Sequence, residues 1–294
     1  MVRPNALTRR DLARLGASAL ALSPFASGLA DARVLAADST PNADPFLGLK
    51  VGVATYTFSR VPLEKTIRDI KQVGVHYASI KEAHLPLRST AEQRKAVAQK
   101  FKDAGITPLS CGNIAMKDDE SAVRNAFEYA RDAGIPTIVC TPVPQILPLL
   151  DKLVKEFDIK LAIHNHGPED KLWPSPYTVW EAVQKYDERI GLCIDVGHTA
   201  RTGVDPAEAI KRCAARLYDV HLKDIATSEV GSKSKPVEVG RGVLNIHKIL
   251  ANLLDIHFPG LVGLEYEKDM NDPLAGVAES IGYVRGILSD MKRA

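Results

Sequence analysis

Cysteine, aromatic residues and long apolar runs are all scarce in this 294-residue chain, and each scarcity excludes something. The four cysteines (111, 140, 193 and 213) are too few and too scattered to staple a domain of this size with disulfides. Cys111, Cys140 and Cys193 fall inside apolar runs, the ordinary setting of a buried free thiol. After residue 37 no segment is apolar over the roughly 20 residues a membrane-crossing helix needs, so no stable membrane anchor is expected there. A glycine-rich phosphate loop is also missing, which argues against an open doubly wound sheet that binds dinucleotides. Charge bias is lacking too. The net charge is +2, but residues 1–37 hold five of the 38 basic residues and two of the 36 acidic ones. The remainder therefore carries 33 basic and 34 acidic residues, a net of −1, and nothing in it draws the protein to nucleic acid.

What is present begins with the leader. Residues 1–37 pair Arg9 with Arg10, then run through an Ala-rich apolar stretch broken by Gly16, Ser18 and Pro24. Small-x-small sites follow at Ala30-Asp31-Ala32 and Leu35-Ala36-Ala37. This is the pattern of a bacterial twin-arginine signal peptide, and it predicts export to the periplasm. That pathway carries folded proteins, so reduced core cysteines are compatible with the address. Residues 38–47 read as a linker and 48–294 as one folded domain.

Within that domain, short β-rich runs alternate with helical patterns: KVGVATYTF, VHYASIKE, ITPLSC, PTIVCTP, KLAIHNH, IGLCIDVG, LYDVHLKD and LVGLEYE. Helical stretches such as LEKTIRDIKQVG and PAEAIKRCAARL separate them at the spacing βα units require. A weak repeat, KDAGITPL and RDAGIPTI, ends a helix in glycine before each strand, which puts Gly105 and Gly134 where φ > 0 is needed. Eight βα units in this length predict a single-domain (β/α)8 barrel, with the doubly wound sheet as the alternative. Residues 228–242, SEVGSKSKPVEVGRG, read as a long loop after strand 7, on the face where barrel enzymes keep their active sites.

The barrel reading gathers scattered polar residues at one end. Strand 5 ends in His164 and His166, strand 6 in Asp195 with His198 close behind, strand 7 in His221, and strand 8 in Glu265. Carboxylate plus imidazole suits one borderline divalent cation such as manganese, zinc or cobalt. Strand alternation puts His164 and His166 on one face, with Asn165 pointing away. The predicted ligands are His164, Asp195, His221 and Glu265. His166, His198, Lys223 and Glu265 are the candidates for proton transfer, although His166 and His198 read equally as ligands, supporting residues or scaffold. Glu82 and His84, closing strand 2, and Arg241 in VGRG are the candidates for substrate contact. Glu267 reads as a solvated neighbour of Glu265, and His76, His247 and His257 as ordinary surface or scaffold histidines.

In this order, IDVGH, VHLKD, VGRG and GLEYE resemble the xylose-isomerase-like barrel superfamily of sugar isomerases and epimerases, dehydratases and metal-dependent apurinic endonucleases. The resemblance covers residues ~48–290. Members similar to D-tagatose 3-epimerase hold one divalent ion, usually manganese, through Glu, Asp, His and Glu. Asp195, His221 and Glu265 match the last three, while His164 stands where the first glutamate is common. That glutamate is also one of the two proton-transfer groups of the epimerases, so the departure weighs against a symmetric two-glutamate mechanism. The endonuclease branch has an Asp-x-His pair before the glycine-rich loop, and KPVEVGRG has none. The resemblance implies metal-dependent isomerase, epimerase or lyase/hydratase chemistry on a sugar or keto-sugar, 3-keto-glycosides included, and export favours unphosphorylated substrates. The alternatives are a metal-dependent hydrolase and a non-catalytic sugar-binding barrel. Assembly into a homo-oligomer is left open.

Overall fold

The computed structural model describes residues 44–293, so the leader and its cleavage sites lie outside the described residues. The first half of the domain runs β1 (Lys50–Ala54), α1 (Leu63–Gln72), β2 (Tyr77–Ile80), α2 (Ala91–Asp103), β3 (Thr107–Met116), α3 (Glu120–Ala133), β4 (Thr137–Pro142) and α4 (Leu147–Phe157). The second half runs β5 (Lys160–His164), α5 (Pro176–Val183), β6 (Ile190–Asp195), α6 (Val196–Ala200), α7 (Pro206–Arg212), β7 (Leu217–Leu222), α8 (Ile246–Asp255), β8 (Leu261–Leu264) and α9 (Leu274–Met291). The eight strands close in the order β1-β8-β7-β6-β5-β4-β3-β2, every pair parallel, giving a single-domain (β/α)8 TIM barrel.

Strand alternation explains how the barrel divides its side chains. Leu161, Ile163, Leu192 and Ile194 join the main apolar core under the helices. The alternate residues Ala162 and Cys193, with Val139, form a small separate cluster inside the barrel. All four cysteines are buried and free. Gly105 and Gly134 have φ of +78° and +65°, the left-handed conformation expected at these helix ends. No helix among the described residues is long and apolar enough to cross a membrane.

Three of the apolar runs end differently from the sequence reading. Thr55–Phe58 leave β1 as a 3-10 turn, β3 continues to Met116, and β5 stops at His164. Beyond His164 the backbone no longer pairs with barrel strands: His166 N–H donates to Trp173 O at 2.9 Å. The long loop after β7 is also partly ordered, because Asp224–Ile225 pair with Pro236–Val237 as an antiparallel ribbon. The Asp224 carboxylate organises it by accepting from the N–H groups of Gly240 at 2.9 Å and Gly242 at 3.0 Å. A Cβ at Gly242 would lie 2.0 Å from Asp224 Oδ1, which is why VGRG needs its second glycine.

Gly191, on β6, meets a similar constraint at the barrel's other end. A Cβ there would lie 2.1 Å from Arg216 O and 2.6 Å from the Tyr218 ring. Gly191→Ala is expected to destabilise the protein by about 1–3 kcal/mol through overpacking, read as a lower urea midpoint at unchanged m.

Candidate metal centre and active site

Asp195 is placed by local backbone chemistry. It caps α6, with Oδ1 accepting the His198 N–H at 2.8 Å, while its own N–H donates to Asn165 Oδ1 at 3.1 Å. Asn165, pointing away from the cavity, also donates to Thr199 Oγ1 at 3.1 Å and so ties β5 to α6. These bonds leave Asp195 Oδ2 facing inward without a hydrogen-bond partner among the described residues. His164 Nε2 lies 3.7 Å from that oxygen, and neither ring nitrogen of His164 makes a hydrogen bond. On the next strand, His221 is the register partner of Asp195, and its Nδ1 is 3.4 Å from Glu265 Oε2. One donor atom from each of His164, Asp195, His221 and Glu265 lies within 4.8 Å of all the others, and all four residues are buried. Unsatisfied polar atoms are costly in such a place. Two imidazoles and two carboxylates with inward-facing lone pairs therefore fit a divalent cation.

The protonation states agree with that fit. Burial pushes the His221 pKa down to about 4 against the pull of Glu265, so the ring is a neutral donor. Burial alone would raise Asp195 and Glu265. The nearby cations and rings, chiefly Lys223 for Asp195 and His221 for Glu265, more than offset it, and both stay well below the usual carboxylate range.

Lys223 is the principal balancing charge. Its Nζ lies 2.9 Å from Glu265 Oε2, 3.2 Å from Glu267 Oε1 and 3.4 Å from Asp195 Oδ2. Burial opposes its charge, but those three carboxylates hold its pKa well above the ordinary lysine value. Glu267 is raised by burial and by the neighbouring carboxylates, with Lys223 opposing.

A cavity of about 350 Å³ opens over the cluster, lined additionally by Tyr56, Lys81, Glu82, Asn113, His166 and Glu267. His166 faces solvent on its wall, 5.3 Å from the His164 ring, and partial burial, the largest cause, lowers its pKa. His198 sits behind His166, ring centroids 4.7 Å apart, and burial drives its pKa down to about 3. A second cavity, of about 370 Å³, lies at the opposite end of the barrel among Lys50, Lys160 and Leu261. In barrels that end supports stability rather than chemistry.

Two sequence candidates for substrate contact lie elsewhere. His84 is buried, its Nε2 3.0 Å from Val61 O and 3.1 Å from Thr66 Oγ1, so it braces the turn before α1. Arg241 is exposed and points outward to Glu279, with Nη2 donating at 2.8 Å. Glu82 does line the cavity. Lys81 and Glu267 were not singled out by the sequence reading. Lys81 Nζ lies 3.3 Å from His221 Nε2, and its place one residue past β2 matches that of Glu265 past β8. Alternation from Ser79 was the available signal.

His84 gives a pH test of the scaffold. Its burial lowers the folded-state pKa below the ordinary value of about 6.5. The unfolded chain therefore binds more protons just below that pH. The His84 contribution is complete above pH ~6.5 and declines as pH falls, by at most about 1.4 kcal/mol per pH unit. Chemical unfolding from pH 7.5 to 5 is expected to show a shallower loss of stability in His84→Gln than in wild type.

Fold and cluster together define a (β/α)8 barrel with a candidate metal site at the C-terminal ends of its strands. The chain belongs to the family described as xylose isomerase-like TIM barrel, whose model matches residues 67–287. An uncharacterised protein of Methanocaldococcus jannaschii is 24% identical over 260 residues, spanning 77% of this chain and 86% of its own length. Among solved structures, 3-keto-D-glucoside 4-epimerase of E. coli superposes with a TM-score of 0.67 at 16% identity, over 81% of this chain and 99% of that one. The IOLI protein, solved with a bound zinc atom, gives 0.67 at 17% identity, over 82% and 99%. At these identities the structural likeness is one of fold.

Proposed function

We propose that this protein is a divalent-metal-dependent enzyme of the isomerase, epimerase or lyase/hydratase type. It moves a proton at the carbon beside the carbonyl of a sugar or keto-sugar, through an enediolate. The convergence of four buried, inward-facing donors from the ends of β5, β6, β7 and β8 carries this reading. Membership of the family and the fold shared with a 3-keto-D-glucoside 4-epimerase support the choice of substrate class.

His164, Asp195, His221 and Glu265 would hold the ion, which when bound supplies Lewis acidity to a sugar carbonyl. The chain's own groups do the rest. With its pKa lowered, His166 is neutral at physiological pH and offers a basic nitrogen at the cavity wall. Glu267, raised on the same cavity, is placed to return a proton. Lys223 holds Asp195 and Glu265 as anions, and Tyr56, Lys81, Glu82 and Asn113 present polar atoms to substrate hydroxyls. Because β5 ends in histidine rather than a carboxylate, the base on that side of the cavity is His166, and the two faces of the substrate meet unlike groups. The twin-arginine pattern in residues 1–37 supports a periplasmic address for this chemistry, which N-terminal sequencing of periplasmic protein checks.

The deciding experiment is metal analysis followed by incubation in D2O with 3-keto-glycosides and ketohexoses. One ion per chain and deuterium uptake beside the carbonyl are expected. Bound metal without exchange on any keto-sugar sinks the enolisation chemistry.

A further inference from the structure

Arg201, just past α6, is buried at 7% exposure. Its guanidinium has three partners. Nε donates to Ser232 O at 2.6 Å, Nη2 pairs with Glu169, and Nη1 donates to His198 Nδ1 at 3.1 Å. Two of these partners sit on the loops that follow β5 and β7, and Gly231 N–H donates back to Arg201 O at 3.1 Å. Gly167 leaves room for the pair, since a Cβ there would lie 3.1 Å from Arg201 Nη1 and 3.2 Å from His198 Nδ1.

A guanidinium keeps its protons and has no lone pair to offer, so the contact with His198 has one polarity. Nδ1 must accept. The proton of the neutral ring then sits on Nε2, the nitrogen 3.9 Å from Asp195 Oδ2. That oxygen is the one left facing the ligand cluster.

We infer that Arg201 is a positioning residue that fixes His198 as the Nε2–H tautomer, which puts the ring's one N–H on the side of the inward oxygen of Asp195, 3.9 Å away. The purpose of the arrangement rests on the metal-site reading above. A neutral N–H beside a ligating carboxylate adds no charge to compete with the cation and can close on that oxygen when the ion draws it in, and outer partners of ligands typically change metal affinity 10- to 100-fold.

The tautomer can be read without turnover. In protein labelled with 15N-histidine at pH 7.5, with and without zinc, the wild-type His198 signals, assigned by their loss in His198→Asn, are expected to show a bare Nδ1 and a protonated Nε2. Arg201→Met should give a mixture of tautomers and about tenfold weaker zinc binding. Arg201→Lys, which still donates, should recover most of both. A wild-type ring protonated at Nδ1 overturns the inference, as does Arg201→Met that keeps a single Nε2–H tautomer and wild-type zinc affinity. If Arg201→Met does not fold, the wild-type spectrum and Arg201→Lys decide. Failure to bind zinc with the Nε2–H tautomer in place overturns the metal reading and the purpose given to the tautomer, while upholding the role of Arg201 in setting it.

Discussion

Asp195→Asn is expected to weaken divalent-metal binding at least about 100-fold and to remove turnover while leaving the barrel folded. The two carboxylate oxygens have separate tasks. Oδ1 caps α6 by accepting the His198 N–H at 2.8 Å, and an asparagine carbonyl can still do so. Oδ2 faces the cluster with no hydrogen-bond partner among the described residues, 3.7 Å from His164 Nε2 and 3.4 Å from Lys223 Nζ. An amide NH2 there offers a donor to the Lys223 ammonium, itself only a donor, and gives a cation nothing to bind. A hundredfold loss corresponds to about 2.7 kcal/mol, modest for a direct ligand when residues behind ligands change affinity 10- to 100-fold. Metal content after dialysis, with far-UV circular dichroism as the fold control, measures the effect. A folded variant that retains one ion per chain removes Asp195 from the ligand set.

The sequence carried the barrel because its strands are short apolar runs ending in glycine-punctuated helices, and that periodicity is local. It also carried the four clustered donors, since counting alternate residues back from each strand end suffices while the backbone stays extended. Alternation carries no such information where strand pairing stops. β2 ends at Ile80, so alternation could not place Glu82 and His84 together, and His84 turned inward to Val61 while Glu82 reached the cavity. Arg241 looked directed at the site because its loop is long, yet Asp224 folds that loop into a ribbon and leaves the guanidinium on Glu279. Glu267 passed for a solvated residue because its partner, Lys223, comes from a different strand. Contacts between strand ends are set by register across the barrel, which one strand's sequence does not encode.

The largest stability change outside the ligands is expected from Lys223→Met. Met fills a similar volume but removes the cation that touches Asp195, Glu265 and Glu267. The buried Asp195 and Glu265 are then left beside the half-buried Glu267 with no ammonium between them, and leaving buried charge uncompensated typically costs about 3–5 kcal/mol. Without metal, the variant should unfold at clearly lower denaturant. Without the ammonium those carboxylates take up protons at higher pH than in wild type, so the deficit should be greatest near pH 8 and shrink toward pH 5. Divalent metal reverses the effect, because an ion that binds only the folded state at 1,000 times its Kd adds about 4.1 kcal/mol. The ion meets no ammonium on Asp195 and Glu265 in the variant, so its affinity should exceed that of wild type even as turnover falls. Paired unfolding curves with chelator and with saturating metal separate these terms. A variant as stable as wild type in chelator, binding metal no more tightly, removes Lys223 from the charge balance of the site.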